Sequence, residues 1–165
     1  MTDQNNKLVI EGLDSLCESA LAAAETLKSQ AIQSVAATTR GEGGRISAKL
    51  VEENQYATHG LAWFVTYVET LKETLKWTRS LKAESKLGEL ELLMLQGGFS
   101  EYLKQMDGGI PMTLGEIIRP SDLGVSSDAI EAFKTESVLA LMKDGYSFDI
   151  DEEAVLGRLR ASGVR

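Results

Sequence analysis

The sequence is short of the residues from which many active sites are built. It holds one cysteine, Cys17, and one histidine, His59. A single cysteine excludes an intrachain disulfide and any zinc site built from cysteines within one chain. A single histidine excludes paired-histidine metal sites such as H-E-x-x-H. No run approaches the roughly 18 consecutive apolar residues that a membrane span needs. Basic residues number 17 against 25 acids, a net charge of −8. Residues 125–155 hold eight acids against Lys134 and Lys143, a local −6. That reads as a solvated acidic surface, and it argues against nucleic acid, whose binders need basic patches to displace counterions. The N-terminal Met-Thr-Asp-Gln-Asn-Asn-Lys has neither the basic nor the apolar part of a secretory signal, so a cytoplasmic protein is expected.

What remains favours helix. There are 2 prolines in 165 residues and few aromatics, against abundant Ala, Leu, Glu and Lys. From Ala57 to Ala83 the seam Ala57, Leu61, Phe64, Val68, Leu71, Leu75 and Thr78 keeps a four-three step, the spacing of helices packed nearly parallel or antiparallel. A second stripe, Trp63, Tyr67, Thr70, Thr74 and Trp77, runs beside it. The seam cannot hold so long a helix alone, so Trp63, Tyr67 and Trp77 must be covered inside the bundle or by another chain. They form the candidate interface. Glu69–Lys72 and Glu73–Lys76 fit the outward face as i,i+3 pairs.

The first helix is expected over about Glu11 to Thr39, on a seam of Leu13, Cys17, Ala20, Ala24, Leu27, Ala31 and Val35. Cys17 on that seam reads as a small buried hydrophobe rather than a nucleophile. Arg40-Gly41-Glu42-Gly43-Gly44-Arg45 fails as a dinucleotide fingerprint. Ile46 stands where the third glycine belongs, and the segment follows a helix instead of a strand. It reads as the loop between two antiparallel helices. Helix two is expected from Ser47 to about Ser85, with an irregularity at His59-Gly60.

Helix three begins near Lys86, and Gly97-Gly98 in its middle predicts a tight crossing or a kink. Asp107-Gly108-Gly109-Ile110-Pro111 ends it. Thr113 and Glu116 have the spacing of a capping box for a helical turn, which Arg119-Pro120 closes. Ser126-Ser127-Asp128 caps a fourth helix over about 128–143, and a last short helix opens at Asp149 and runs to about Arg160. The expected fold is all-α, an antiparallel helical bundle with two long helices, a third helix and shorter C-terminal helices. Its expected divisions are a flexible N-terminus over 1–10, the bundle over 11–124, and an acidic helical segment over 125–165. That segment either packs on the bundle or leads to a following domain.

No catalytic constellation emerges. His59 could act as acid or base with Glu52, Glu53 or Tyr56 nearby, but no G-x-S-x-G elbow supports a triad. Asp149-x-Asp151-x-Glu153 opens like a calcium loop, but Ala154 replaces the glycine and Arg160 the bidentate acid. Glu89, Glu91 and Glu101 form no Glu-x-x-His pair. No catalytic, cofactor-binding or metal residue is assigned.

Three blocks carry a resemblance. The first is Tyr56-Ala57-Thr58-His59-Gly60-Leu61-Ala62-Trp63 with Thr66-Tyr67-Val68-Glu69-Thr70-Leu71. The second is Gly88-Glu89-Leu90-Glu91 with Gly97-Gly98-Phe99-Ser100-Glu101-Tyr102-Leu103. The third, the most specific, is Gly108-Gly109-Ile110-Pro111-Met112 through Gly115-Glu116-Ile117-Ile118-Arg119-Pro120. Together, from Arg45 to Gly124, they resemble the helical N-terminal extension of methylsuccinyl-CoA dehydrogenase-like acyl-CoA dehydrogenases. That family oxidises acyl-CoA thioesters with FAD, using a catalytic glutamate. The resemblance implies an FAD only in an associated dehydrogenase core, since three domains of ordinary size need roughly 300 residues. It implies a non-catalytic domain serving assembly or surface shaping, partnered by such a core or by further copies of itself. An independent self-associating module is the alternative, and a small-ligand-binding bundle with a pocket near Gly97-Gly98 is a third.

Overall fold

The computed structural model describes residues 8–145 and residue 160. Most of the N-terminal segment, the calcium-like acidic run and most of the last expected helix lie outside the described residues. Within them the fold is all-α: α1 (Leu13–Thr39), α2 (Ala48–Glu53), α3 (Gln55–Ala83), α4 (Glu89–Gly108), α5 (Ser127–Phe133) and α6 (Glu136–Asp144). A hairpin, β1 (Ile110–Pro111) with β2 (Ile117–Ile118), and a 3-10 turn at Pro120–Leu123 link α4 to α5.

α1 lies at the centre, packed by α3, α4, α5 and α6. Every residue of its expected seam is buried. Five of its eight buried positions are Cys17, Ala20, Ala24, Ala31 and Thr39, and small side chains let neighbouring backbones come close. α3 runs antiparallel to it, burying Phe64, Val68, Leu71, Leu75 and Thr78. Ion pairs lace this contact. Arg79 near the end of α3 holds Asp14 near the start of α1 at 3.0 Å, and Lys28 meets Glu69 at 2.7 Å. The surface pairs Glu69–Lys72 (3.4 Å) and Glu73–Lys76 (3.2 Å) form as expected.

Several boundaries differ from the sequence reading, each for a local reason. The helix expected to run unbroken from Ser47 is two helices. Ser47 caps α2 by accepting from Leu50 N, and the break falls at Asn54, whose side-chain amide donates to Leu50 O. At His59-Gly60 α3 is continuous. Gly60 instead makes room for a neighbour. Ile118 rests on it, and a Cβ would lie 2.4 Å from Ile118 Cγ1. Gly60→Ala is therefore expected to destabilise by about 1–3 kcal/mol through overpacking. Alanine is the better helix former by about 1 kcal/mol, so a rise in the urea midpoint would show that Ile118 can yield.

α3 ends in a Schellman motif, with Ser85 left-handed (φ 56°) and Lys86 N donating to Leu81 O. α4 accordingly begins at Glu89 instead of Lys86, where Glu91 accepts from Gly88 N. The tight crossing expected at Gly97-Gly98 is not there. α4 is continuous through both glycines, and a Cβ on either would meet nothing within 4 Å. Gly97→Ala is thus expected to raise stability by about 0.5–1 kcal/mol, read as a higher denaturation midpoint.

Thr113 and Glu116 do bond, side chain to side chain at 3.3 Å, but they close a hairpin and not a helical turn. Its register pairs Ile110 with Ile118. Pro120 opens the following 3-10 turn instead of ending a helix. The fourth helix is two, because Thr135 supplies a second cap at Val138 N. Their apolar faces, Phe133, Val138 and Leu141, are buried in the common core. At the other end of the chain, Gln96 of α4 holds the backbone of Leu8 and Ile10.

Candidate interaction face on α3

The aromatic stripe does not form one surface. Tyr67, in its middle, is spent inside the molecule. Its ring stacks on Tyr102 of α4 at 4.4 Å, and its hydroxyl donates to Gln105, which in turn donates to Glu101. Burial, with Tyr102 and Glu101 beside it, pushes the phenol above its ordinary range.

Trp63 marks one end. It is half-buried, and its indole N–H donates to His59 Nε2 at 3.0 Å. His59 therefore accepts through Nε2. Tyr56, which could have joined it in acid–base work, instead donates its hydroxyl to Ile117 O at 2.6 Å. Among the described residues no carboxylate is hydrogen-bonded to His59. His59 does line an open cavity of about 640 Å³ with Gln55, Tyr56, Thr58, Met112 and Glu116. Beside this cavity the hairpin carries Leu114 fully exposed, with Ile117 and Tyr56 nearly half exposed. Sequence reasoning did not find this apolar hairpin end; a leucine inside a Thr-x-Gly turn was its only signal.

Trp77 marks the other end, 39% exposed. With Thr70 and Thr74 it forms one wall of a groove of about 360 Å³, facing Met94, Gly98 and Tyr102 of α4. The hydroxyls of Thr66, Thr70 and Thr74 each donate to the carbonyl four residues back, at 2.7–2.8 Å. Their polar atoms are thereby satisfied, and their methyls are left to the surface. This stretch of α3 is chemically more apolar than its threonines suggest.

Cys17 is wholly buried, and burial pushes its thiol up to about 12. The nearby Asp14 carboxylate adds to that rise and Arg79 opposes it. Among the described residues no group of three or more His, Cys, Asp or Glu side chains could hold a metal ion. No described helix is long and apolar enough to cross a membrane.

No family model matches the chain. Over 82 residues, half of the chain, it is 46% identical to (2S)-methylsuccinyl-CoA dehydrogenase of Cereibacter sphaeroides. The chain covers 15% of that protein's length. Half of this chain thus resembles one part of an acyl-CoA dehydrogenase.

Proposed function

We propose that this chain is a non-catalytic helical domain of, or associated with, an FAD-dependent acyl-CoA dehydrogenase, and that it serves the enzyme's assembly in the cytoplasm. The observation that carries this reading is the likeness itself, 46% identity confined to 15% of a dehydrogenase. A similarity of that extent matches one structural unit of a larger protein and leaves most of the enzyme outside it. Among the described residues, the hydroxyls of Thr66, Thr70 and Thr74 on α3 donate to their own helix. Tyr56 and Tyr67 likewise spend their hydroxyls internally.

The surface turned to the dehydrogenase core is the hairpin end of α3, with Trp63 and the exposed Leu114. Leu114 projects fully exposed from a hairpin whose Ile110 and Ile118 are buried, and an exposed apolar projection suits insertion into a pocket of a partner. Co-expression with an acyl-CoA dehydrogenase should give a complex with flavin absorbance, while the chain alone should be colourless. Leu114→Asp and Trp63→Ala should each release the flavoprotein and keep the helical circular dichroism. A stoichiometric yellow chromophore on the isolated chain would overturn the non-catalytic assignment. Failure to bind any such dehydrogenase, with self-association instead, would favour the independent interaction module.

A further inference from the structure

His59 has two candidate partners of different kinds. One is Trp63, a turn further along α3, whose indole N–H donates to His59 Nε2 at 3.0 Å. The other is the carboxylate of Glu116, which the hairpin brings to the same open cavity of about 640 Å³ that His59 lines. A neutral imidazole can keep the first partner, because one of its ring nitrogens accepts. An imidazolium cannot, since both nitrogens then carry protons and only donate. It suits the second partner, with which it forms a charge-assisted hydrogen bond. Histidine is also the side chain whose ordinary charge change falls between about pH 5 and 8.

The other charged and titratable groups of the neighbouring elements have partners or places of their own. Tyr56 and Glu116 line the cavity with His59, and the Tyr56 hydroxyl donates to Ile117 O at 2.6 Å. On α2, Glu52 and Glu53 are exposed, and Glu53 pairs with Lys49 at 3.7 Å. On α4, Asp107 pairs with Lys134 at 3.4 Å. Arg119, which follows β2, lies against Gly109. Glu116 is exposed, and its Oε2 accepts from Thr113 at 3.3 Å, a long bond that a cationic donor would displace.

Resting on the reading of Trp63 as part of the docking end, we propose that His59 is a proton-sensitive latch for that end. Neutral His59 holds the Trp63 indole in place with its N–H satisfied. On gaining a proton it gives up Trp63, turns into the cavity and pairs with Glu116. The indole loses its acceptor, and a positive charge enters a surface that must bury apolar groups, which opposes docking. Docking therefore favours the neutral form, and below the step it weakens by up to about tenfold per pH unit.

The test uses the full chain with Trp77→Phe, which leaves Trp63 as the sole tryptophan. Between about pH 8 and 5, Trp63 emission and the indole N–H resonance should change together in a single one-proton step, with helical circular dichroism constant. His59→Gln, whose amide oxygen accepts but does not titrate, should abolish the step. Glu116→Gln should move it to lower pH by roughly 0.2–0.7 unit, the scale of an exposed ion pair. A flat profile, a step that survives His59→Gln, or one that Glu116→Gln leaves in place would overturn the latch. Loss of helical circular dichroism through the step would overturn it too, as unfolding. Dehydrogenase binding should weaken through the same step and stay constant in His59→Gln. Equal binding at both ends of the range would overturn the control of docking, whereas no binding even at the upper end would overturn the docking reading, with the latch decided by the titration of the chain alone.

Discussion

Phe99→Ala is expected to remove about 3–5 kcal/mol of stability, a large share of the roughly 5–15 kcal/mol that a domain possesses. Phe99 is wholly buried in α4, and its ring backs the groove that Gly98 and Trp77 open to the surface. Truncation would join that groove to the core. The site cannot easily collapse, because α4 is packed by both α3 and α6. Urea unfolding followed by circular dichroism measures the loss. A loss under about 1 kcal/mol would mean that the α3–α4 contact packs far more loosely than the buried ring implies. Phe99→Leu, which keeps most of the apolar contact, should cost much less.

Cys17 is expected to react with iodoacetamide about a thousandfold more slowly in the folded protein than in urea. The thiolate is the nucleophile, and burial both pushes the thiol up to about 12 and bars the reagent while α1 stays packed, so the slowing, on the order of a thousandfold or more, is set by opening of the core. As the chain has one cysteine, labelling reports on this site alone. Rapid native labelling would overturn its reading as a packing residue. Cys17→Ala should be milder than Cys17→Ser, since the serine hydroxyl would need a partner that an apolar seam does not supply.

The parts of the fold legible in the sequence were those written in local periodicity. The seams of α1 and α3 follow their four-three steps because a residue's face on a helix depends only on its distance along the chain. The glycine-rich loop after Thr39 followed from its own residues, and the outward Glu–Lys pairs from theirs. The hairpin was not legible. Two-residue strands are too short to show alternation, and Thr113 with Glu116 has the spacing of a helix cap while closing a turn. The split between α5 and α6 had a signal, Thr135 before Glu136 within the polar run Lys134-Thr135-Glu136-Ser137, but Ile130 and Phe133 before it and Val138 and Leu141 after it also fit the face of a single helix.

The candidate site divides in the same way. The stripe Trp63, Tyr67, Trp77 is a property of sequence spacing, and so is the need for something to cover it. Its covers are a property of the tertiary structure. Tyr67 meets Tyr102 and Gln105, Trp63 meets His59, and Trp77 faces a glycine floor on α4. Only the closed chain brings Ile118 onto Gly60, or Gln96 to the backbone of Leu8 and Ile10. By itself, then, the sequence determined an all-α bundle, its two long helices and the residues facing inward, because helix period and apolar spacing are local quantities. The tertiary structure decided which aromatic is core and which is surface, where the hairpin locks, and that Gly98 of α4 lines a groove with Trp77 and Met94. Those outcomes depend on contacts between distant segments, for which no local pattern carries a signal.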